Sequence, residues 1–245
     1  MCGRFNLFTN PRLFAEIFAV ARTFDDDWTP AYNIAPTQKV LCIRDGDERE
    51  FFKAKWGLIP SWAKDAKIGA SCINARVETV DTKPAFRSAF KKRRCVVMAD
   101  GFYEWRQPEK QPFYISLKSG QQMAFAGLWE SWKSPEGLVE SCTICTTEAH
   151  DMMGQLHDRM PVILPRATVD HWLDPMVNDA SELKPMLLQF PVTRCKRGLL
   201  EKRLEMSAIK ENRSSSRLPM LRPCDLPTKT AGGQTTASIL HCWMA

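Results

Sequence analysis

The sequence predicts an α+β domain with a core of curved, mainly antiparallel sheet or open barrel and flanking helices. Strand-like runs outnumber helical ones, and they mostly follow one another directly instead of alternating with crossover helices. A chain of 245 residues, 44% hydrophobic and 25% charged, suits one globular domain of moderate size with an appendage.

Taken in order, "NPRLFAEIFAVAR" reads as a helix. Asn10 is placed as its cap, Pro11 fills the first helical position, and apolar residues recur at helical spacing. "DDDWTPAYNIAPTQ" is rich in Asp and Pro and reads as loop. "KVLCIRD", "EFFKAKW", "RRCVVMADGFYEW", "PFYISL", "MAFAGLWES" and "VESCTICTT" read as strands, and "KSGQQ" supplies a hairpin turn between two of them. "KPAFRSAFKK" reads as a short helix, and "EAHDMMGQL" as another that runs into "HDRMPVIL", which ends as a strand. "RATVDHWLD" and "SELKPMLLQ" read as further helices.

After "QFPVT" the texture changes, which places a domain at residues 1–193 and a basic tail at 194–245. The front of the tail, "RCKRGLLEKRLEMSAI", has helical character, and beyond about residue 210 packed periodicity is lost. Residues 194–230 hold ten Lys/Arg against four Asp/Glu, and 231–245 hold neither, so the first 193 residues balance at 24 of each sign. An anion site in the body therefore has to come from local placement, because bulk charge there is nil. No apolar run of about 18 residues predicts a transmembrane helix, and the start lacks the basic-then-apolar pattern of a secretory signal. Nine cysteines without framework spacing fit reduced thiols in a cytoplasmic compartment.

Cys2, directly behind Met1, has two readings. It is a small buried residue like most free cysteines, or it becomes the first residue once Met1 is removed. In that case it offers an amine titrating near ~8 beside a thiol near ~8.5. Such a 1,2-aminothiol condenses with an aldehyde and closes a thiazolidine ring. Four polar stretches sit where a strand or helix meets a loop: "CGR" at 2–4, "INARVET" at 73–79, "ADGFYEW" at 99–105 and "HDRMP" at 157–161. Singly each has a plain account: Glu104 as an outward residue of an alternating strand, His157 as a helix C-cap, Asn74 as a turn residue.

Together, "MCGRF", "YNIAP", "WGLIPSW", "INARVET", "ADGFYEW" and "HDRMPVIL" occur in the order found in the SOS response-associated peptidase (SRAP) family of abasic-site-processing proteins, and the resemblance covers roughly residues 1–193. It implies that Cys2 bonds covalently to the aldehyde of an abasic site in single-stranded DNA, in a DNA damage response. It also implies that Glu104 is the catalytic carboxylate, that His157 serves ring opening and the sugar oxygen, and that Asn74 orients the N-terminal residue. Arg4, Arg76 and Arg159 fall on arginines that hold phosphates. Trp62 and Pro36 match apolar residues against which bases stack or wedge, and Asn33 sits beside that loop. The family name adds removal of Met1 by the same site, with strand cleavage as a lyase side activity.

The resemblance requires no cofactor or metal and no membrane, and it implies a monomer that is nucleoid-associated when bound. The segment after "FPVT" departs from the family pattern. "CTIC" lacks a second ligand pair, and Cys142 and Cys145 would point to opposite faces of a strand, so zinc is declined. "NRS" at 212–214 is declined as a glycosylation site for want of secretion. A non-catalytic single-strand binder using Trp62 and the arginines is the alternative from another class. A cysteine peptidase using Cys2 and His157 is the alternative within the enzyme class.

Overall fold

The computed structural model describes residues 2–21, 28–149, 151–187, 190 and 194–200. Its elements, in chain order, are β1 (Phe5–Leu7), α1 (Pro11–Phe18), β2 (Ala31–Ile34), β3 (Lys39–Arg44), β4 (Glu50–Trp56), a 3-10 helix (Ala66–Ser71), β5 (Asn74–Arg76), α2 (Arg87–Lys92), β6 (Arg94–Ala99) and β7 (Gly101–Arg106). There follow β8 (Gln111–Leu117), β9 (Met123–Ser134), β10 (Gly137–Glu148), α3 (Asp151–Gly154), β11 (Arg159–Pro161), α4 (Arg166–Leu173), α5 (Ala180–Met186) and β12 (Cys195–Leu199). The fold is α+β, as the sequence predicts, and the sheet is of two kinds.

Strands β10, β4, β3, β6 and β9 pair in succession, and the long β9–β10 hairpin brings the series back on itself as a closed barrel. Short β5 and β11 add to the far end of β10 on its two sides, β5 parallel to it and β11 antiparallel. A second, antiparallel sheet of five strands has the order β12-β8-β7-β1-β2. Rings from both sheets meet to form the core between them. Phe5 of β1 stands edge-on to Trp56 of β4 at 5.1 Å and to Phe125 of β9 at 6.0 Å, and Phe102 of β7 meets the same Phe125 at 6.0 Å. All four rings are fully buried, and each edge-to-face pair contributes about 0.5–1.5 kcal/mol beyond the area it removes from water.

Local sequence explains the best-defined elements. The Asn10 side chain accepts from the Arg12 N–H at 2.9 Å and starts α1. Pro11, Phe14 and Phe18 then form its buried face, at the spacing of an amphipathic helix. "RRCVVMADGFYEW" is two strands, because Asp100 breaks it. Its carboxylate accepts from the Phe8 N–H at 2.6 Å, the Thr9 N–H at 2.8 Å and the Thr9 hydroxyl at 2.5 Å. The chain thereby passes from the barrel into the second sheet. Gly101 follows of necessity: a Cβ there would lie 2.5 Å from both the Ile115 carbonyl oxygen and the Tyr114 hydroxyl.

Three expectations are corrected. "KSGQQ" is not a hairpin turn, since β8 before it belongs to the five-stranded sheet and β9 after it to the barrel. "AYNI" is strand, not loop, because its backbone pairs with β1. The described start of the basic tail, residues 194–200, is not helical: Cys195–Leu199 forms β12 on the open edge of β8. The packed fold therefore continues past residue 193, with Cys195 and Leu200 both buried. The expectations for the rest of the tail, the sequon at 212–214 included, lie outside the described residues. Among the described residues, no helix is long and apolar enough to cross a membrane.

Candidate active site

Both sheets contribute chemistry-bearing residues. From the five-stranded sheet, Cys2, Gly3 and Arg4 lead into β1, which pairs with β7 as Phe5 with Phe102 and Asn6 with Gly101. The Tyr103 N–H donates to the Arg4 carbonyl at 2.9 Å. Continued two residues before Phe5, this register sets Gly3 opposite Glu104, with Cys2 next along the chain. From the barrel, β5 begins with Asn74, placed opposite Ile144 of β10. The Asn74 Nδ2 donates to the Cys2 carbonyl at 3.0 Å and so ties the start of the chain to the barrel end.

Cys2 is fully buried. Loss of solvation pushes its thiol well above the ordinary value, and the Glu104 charge pushes it further in the same direction. Glu104 is 3% exposed, and burial raises its carboxyl to about 7, with Asp158 adding to the rise. On the opposite face of β7, Tyr103 accepts from Asn6 Nδ2 at 3.0 Å and donates to the Tyr32 carbonyl at 2.9 Å. That bonding anchors the strand from behind, so Glu104 faces the site as the alternation of a strand requires.

His157 follows α3, with its N–H bonded to the Met153 carbonyl at 3.0 Å. Two contacts compete for its Nδ1. The Arg159 N–H donates to it at 2.9 Å, which requires the lone pair, whereas Asp158 Oδ1 lies 2.5 Å away, which favours a proton there. Burial holds the imidazole below its ordinary value, which favours the neutral ring. Asp158 is 81% exposed, so water weakens its pull. Where the Arg159 N–H holds the Nδ1 lone pair, a neutral ring has its hydrogen assigned to Nε2.

The remaining candidates divide by exposure. Arg4 is half-buried and donates through Nη1 to Asn33 Oδ1 at 3.1 Å, which places both at the margin of the five-stranded sheet. Arg76 is exposed, opposite Thr146 of β10. Trp62 is 59% exposed, which is not the burial of a core tryptophan. Its loop is held by the Trp132 Nε1, which donates to the Ala63 carbonyl at 2.7 Å. Pro36 is half-buried in the turn between β2 and β3. Arg159 stands apart from the other arginines. It is 7% exposed, and its guanidinium donates to both oxygens of Glu78, at 2.9 and 3.0 Å, and to the Thr146 carbonyl at 2.5 Å.

Sequence reasoning missed Glu78, Thr146 and Asp158. Thr146 is 1% exposed with an unpartnered hydroxyl, and the buried Asn74 Oδ1 is likewise unpartnered. Acceptors and hydroxyls left bare in this way suit a polar ligand. No local pattern marks a threonine on a strand, but Glu78 lies within "INARVET" and could have been paired with "HDR". Among the described residues no group of His, Cys, Asp and Glu is set to hold a metal.

The site can be compared with known proteins. The model of the SOS response associated peptidase (SRAP) family matches residues 1–205. The chain is 45% identical over 193 residues to the abasic site processing protein YoqW of Bacillus subtilis (strain 168), which covers 76% of this chain and 86% of that one. It is 35% identical over 184 residues to the abasic site processing protein HMCES of Xenopus tropicalis, covering 61% of this chain and 55% of that one. A crystal structure of a protein from Bacteroides thetaiotaomicron is similar with a TM-score of 0.74 at 25% identity, over 82% of this chain and 93% of that one. The chain belongs to the SRAP family.

Proposed function

We propose that this protein processes abasic sites in single-stranded DNA, as a monomer in the cytoplasm, by forming a covalent bond through Cys2. The observation that carries the reading is the Asn74 bond to the Cys2 carbonyl beside a carboxyl held at about 7. In this reading the same site first hydrolyses the Met1–Cys2 peptide and frees the Cys2 amine.

The chemistry then proceeds in two bond-forming steps. The neutral Cys2 amine adds to the C1′ aldehyde of the ring-opened deoxyribose. Glu104 in its acid form protonates the departing hydroxyl, and water leaves as the iminium forms. The thiol then adds to C1′ and gives its proton to the Glu104 carboxylate, which closes the thiazolidine. One C–N and one C–S bond form, the C=O bond is lost, and one water is released. Burial keeps the thiol protonated, so ring closure needs a local base, and a carboxyl near neutrality serves both as donor and as acceptor. Neutral His157, with its hydrogen on Nε2, donates to the sugar oxygen and favours the open form. Asn74 holds the nucleophile in place without adding charge. Arg4, Arg76 and Arg159 bind phosphates, and Trp62 and Pro36 bear on the bases, with Asn33 setting Arg4.

The test is a fluorescent single strand carrying one abasic site, incubated with the protein and run on a denaturing gel. A covalent band is expected, with the mass of the protein lacking Met1 plus the DNA less one water. Cys2→Ala should still reach the Schiff base, so its adduct should be transient and the strand prone to β-elimination. A heat-stable adduct from Cys2→Ala would exclude the thiazolidine. Retention of the strand on a native gel without any covalent band on the denaturing one would leave a binding protein only.

A further inference from the structure

Arg159 commits three of its five N–H donors to partners within the protein. The end-on fork of its guanidinium is filled by the two oxygens of Glu78, and Nη2 also donates to the Thr146 carbonyl. Nε is buried without a partner. A carboxylate and a phosphate grip that fork through the same pair of N–H groups, so a phosphate can take it only if Glu78 leaves. The two partners differ in freedom: the Arg159 side chain is 9% exposed and that of Glu78 is 47% exposed. Glu78 lies two residues past the end of β5, from where its side chain can swing into water while Arg159 stays.

We propose that Glu78 occupies the phosphate position of Arg159 in the DNA-free protein and is exchanged for a backbone phosphate when a strand binds. The inference rests on the reading of Arg159 as a phosphate contact. The exchange keeps a buried guanidinium compensated in both states, and an uncompensated one would be costly. It also sets a threshold. A lone phosphate gains little by replacing an internal carboxylate, whereas a strand already held at Arg4 and Arg76 presents its next phosphate at high local concentration.

The test measures binding of intact fluorescent single-stranded DNA at one fixed low salt concentration, for wild type, Glu78→Gln, Glu78→Asp, Arg159→Gln and the double variant Glu78→Gln/Arg159→Gln. Melting temperatures confirm that each is folded, and the Asp variant serves if the Gln variant is not. Glu78→Gln should bind about three- to fivefold tighter, the scale of one partly exposed ion pair. Glu78→Asp keeps the charge but shortens the reach, so tighter binding there excludes a simple removal of negative charge from the path of DNA. Arg159→Gln should bind more weakly and should abolish the gain from Glu78→Gln. If neither Glu78 variant binds tighter while Arg159→Gln loses affinity, the exchange is wrong and the phosphate role of Arg159 stands. If Arg159→Gln binds as wild type, both are wrong.

Discussion

A carboxyl buried beside an uncharged thiol has two measurable consequences at Glu104, one for rate and one for stability. For rate, Glu104→Gln preserves shape and hydrogen bonding but cannot move a proton, so DNA binding should survive. The single-turnover crosslinking rate should fall by about 10²–10⁴-fold, the usual contribution of a general acid–base group. A rate within about twofold of wild type would remove Glu104 from the mechanism. For stability, the folded value of about 7 lies above the ordinary 4.5. The native state therefore holds a proton that the unfolded chain has released between those two pH values. The favourable contribution of the protonated form is complete below about 4.5 and is lost as pH rises through 7. A shift of that size corresponds to about 3 kcal/mol. Glu104→Gln, which never ionises, should thus be more stable than wild type at pH 8, with the gap closing as pH falls to about 4.5. Denaturant melts at the two pH values check this, and a gap independent of pH would mean that Glu104 is not raised.

At the scale of elements, the site depends on short segments held by long-range contacts, and this is also where the sequence was hardest to read. Apolar runs such as "RCVVMA" and "MAFAGLW" announced strands because both of their faces are buried. Cys195–Leu199 did not, because it is an edge strand with exposed Lys196, Arg197 and Leu199, and its order comes from the free edge of β8 more than seventy residues earlier. Strands β1 and β5 have three residues each, too few to show a period, yet they carry the approaches to Cys2 and Asn74. Cys2, Asn74, Glu104 and His157 were legible only as parts of ordered motifs. The Glu78–Arg159 pair spans 81 positions, and only the flanking of β10 by β5 and β11 brings it together. The Trp62 loop illustrates the same dependence. Trp62→Ala should lose about 1–3 kcal/mol of single-strand affinity if a base stacks there. Trp132→Phe, which removes the N–H held by the Ala63 carbonyl together with part of the indole ring, should lose at least about 1 kcal/mol, the worth of that one hydrogen bond. Fluorescence anisotropy with intact DNA reads both, and wild-type affinity for Trp62→Ala would exclude stacking. Arg76, the exposed arginine of β5, should reduce the salt dependence by about one unit of slope when replaced by Ala.

Over the whole molecule, the question is where the functional unit ends, and β12 supplies the answer to be tested. The strand adds an antiparallel ladder to β8, from Cys195 opposite Leu117 to Leu199 opposite Phe113. Its ends are fixed by the Lys118 N–H on the Arg194 carbonyl at 2.8 Å and by Gln111 Nε2 on the Leu200 carbonyl at 2.7 Å. It also reaches the other sheet's contribution to the site. Arg197 Nη1 donates to Gln155 Oε1 at 2.9 Å, two residues before His157. Cutting after residue 193 removes these bonds and the buried Cys195 and Leu200 side chains. At about 1 kcal/mol per net hydrogen bond and about 1.5–3 kcal/mol per large apolar side chain, the loss is several kcal/mol. That is comparable with the about 5–15 kcal/mol by which domains are stable at all. Such a truncation should therefore lower the melting temperature by about 10 °C or more, and crosslinking should slow as the His157 loop loses its anchor. Cutting after Leu200 is different. It removes seven Lys/Arg and four Asp/Glu but no described strand, so crosslinking at low salt should match wild type. Non-specific affinity should fall modestly, with a slightly shallower salt dependence. Paired melting and gel assays on the two truncations decide the boundary. If the protein ending at 193 melts and crosslinks as wild type, β12 is dispensable. If the one ending at 200 stays folded but forms no adduct, residues beyond Leu200 belong to the site.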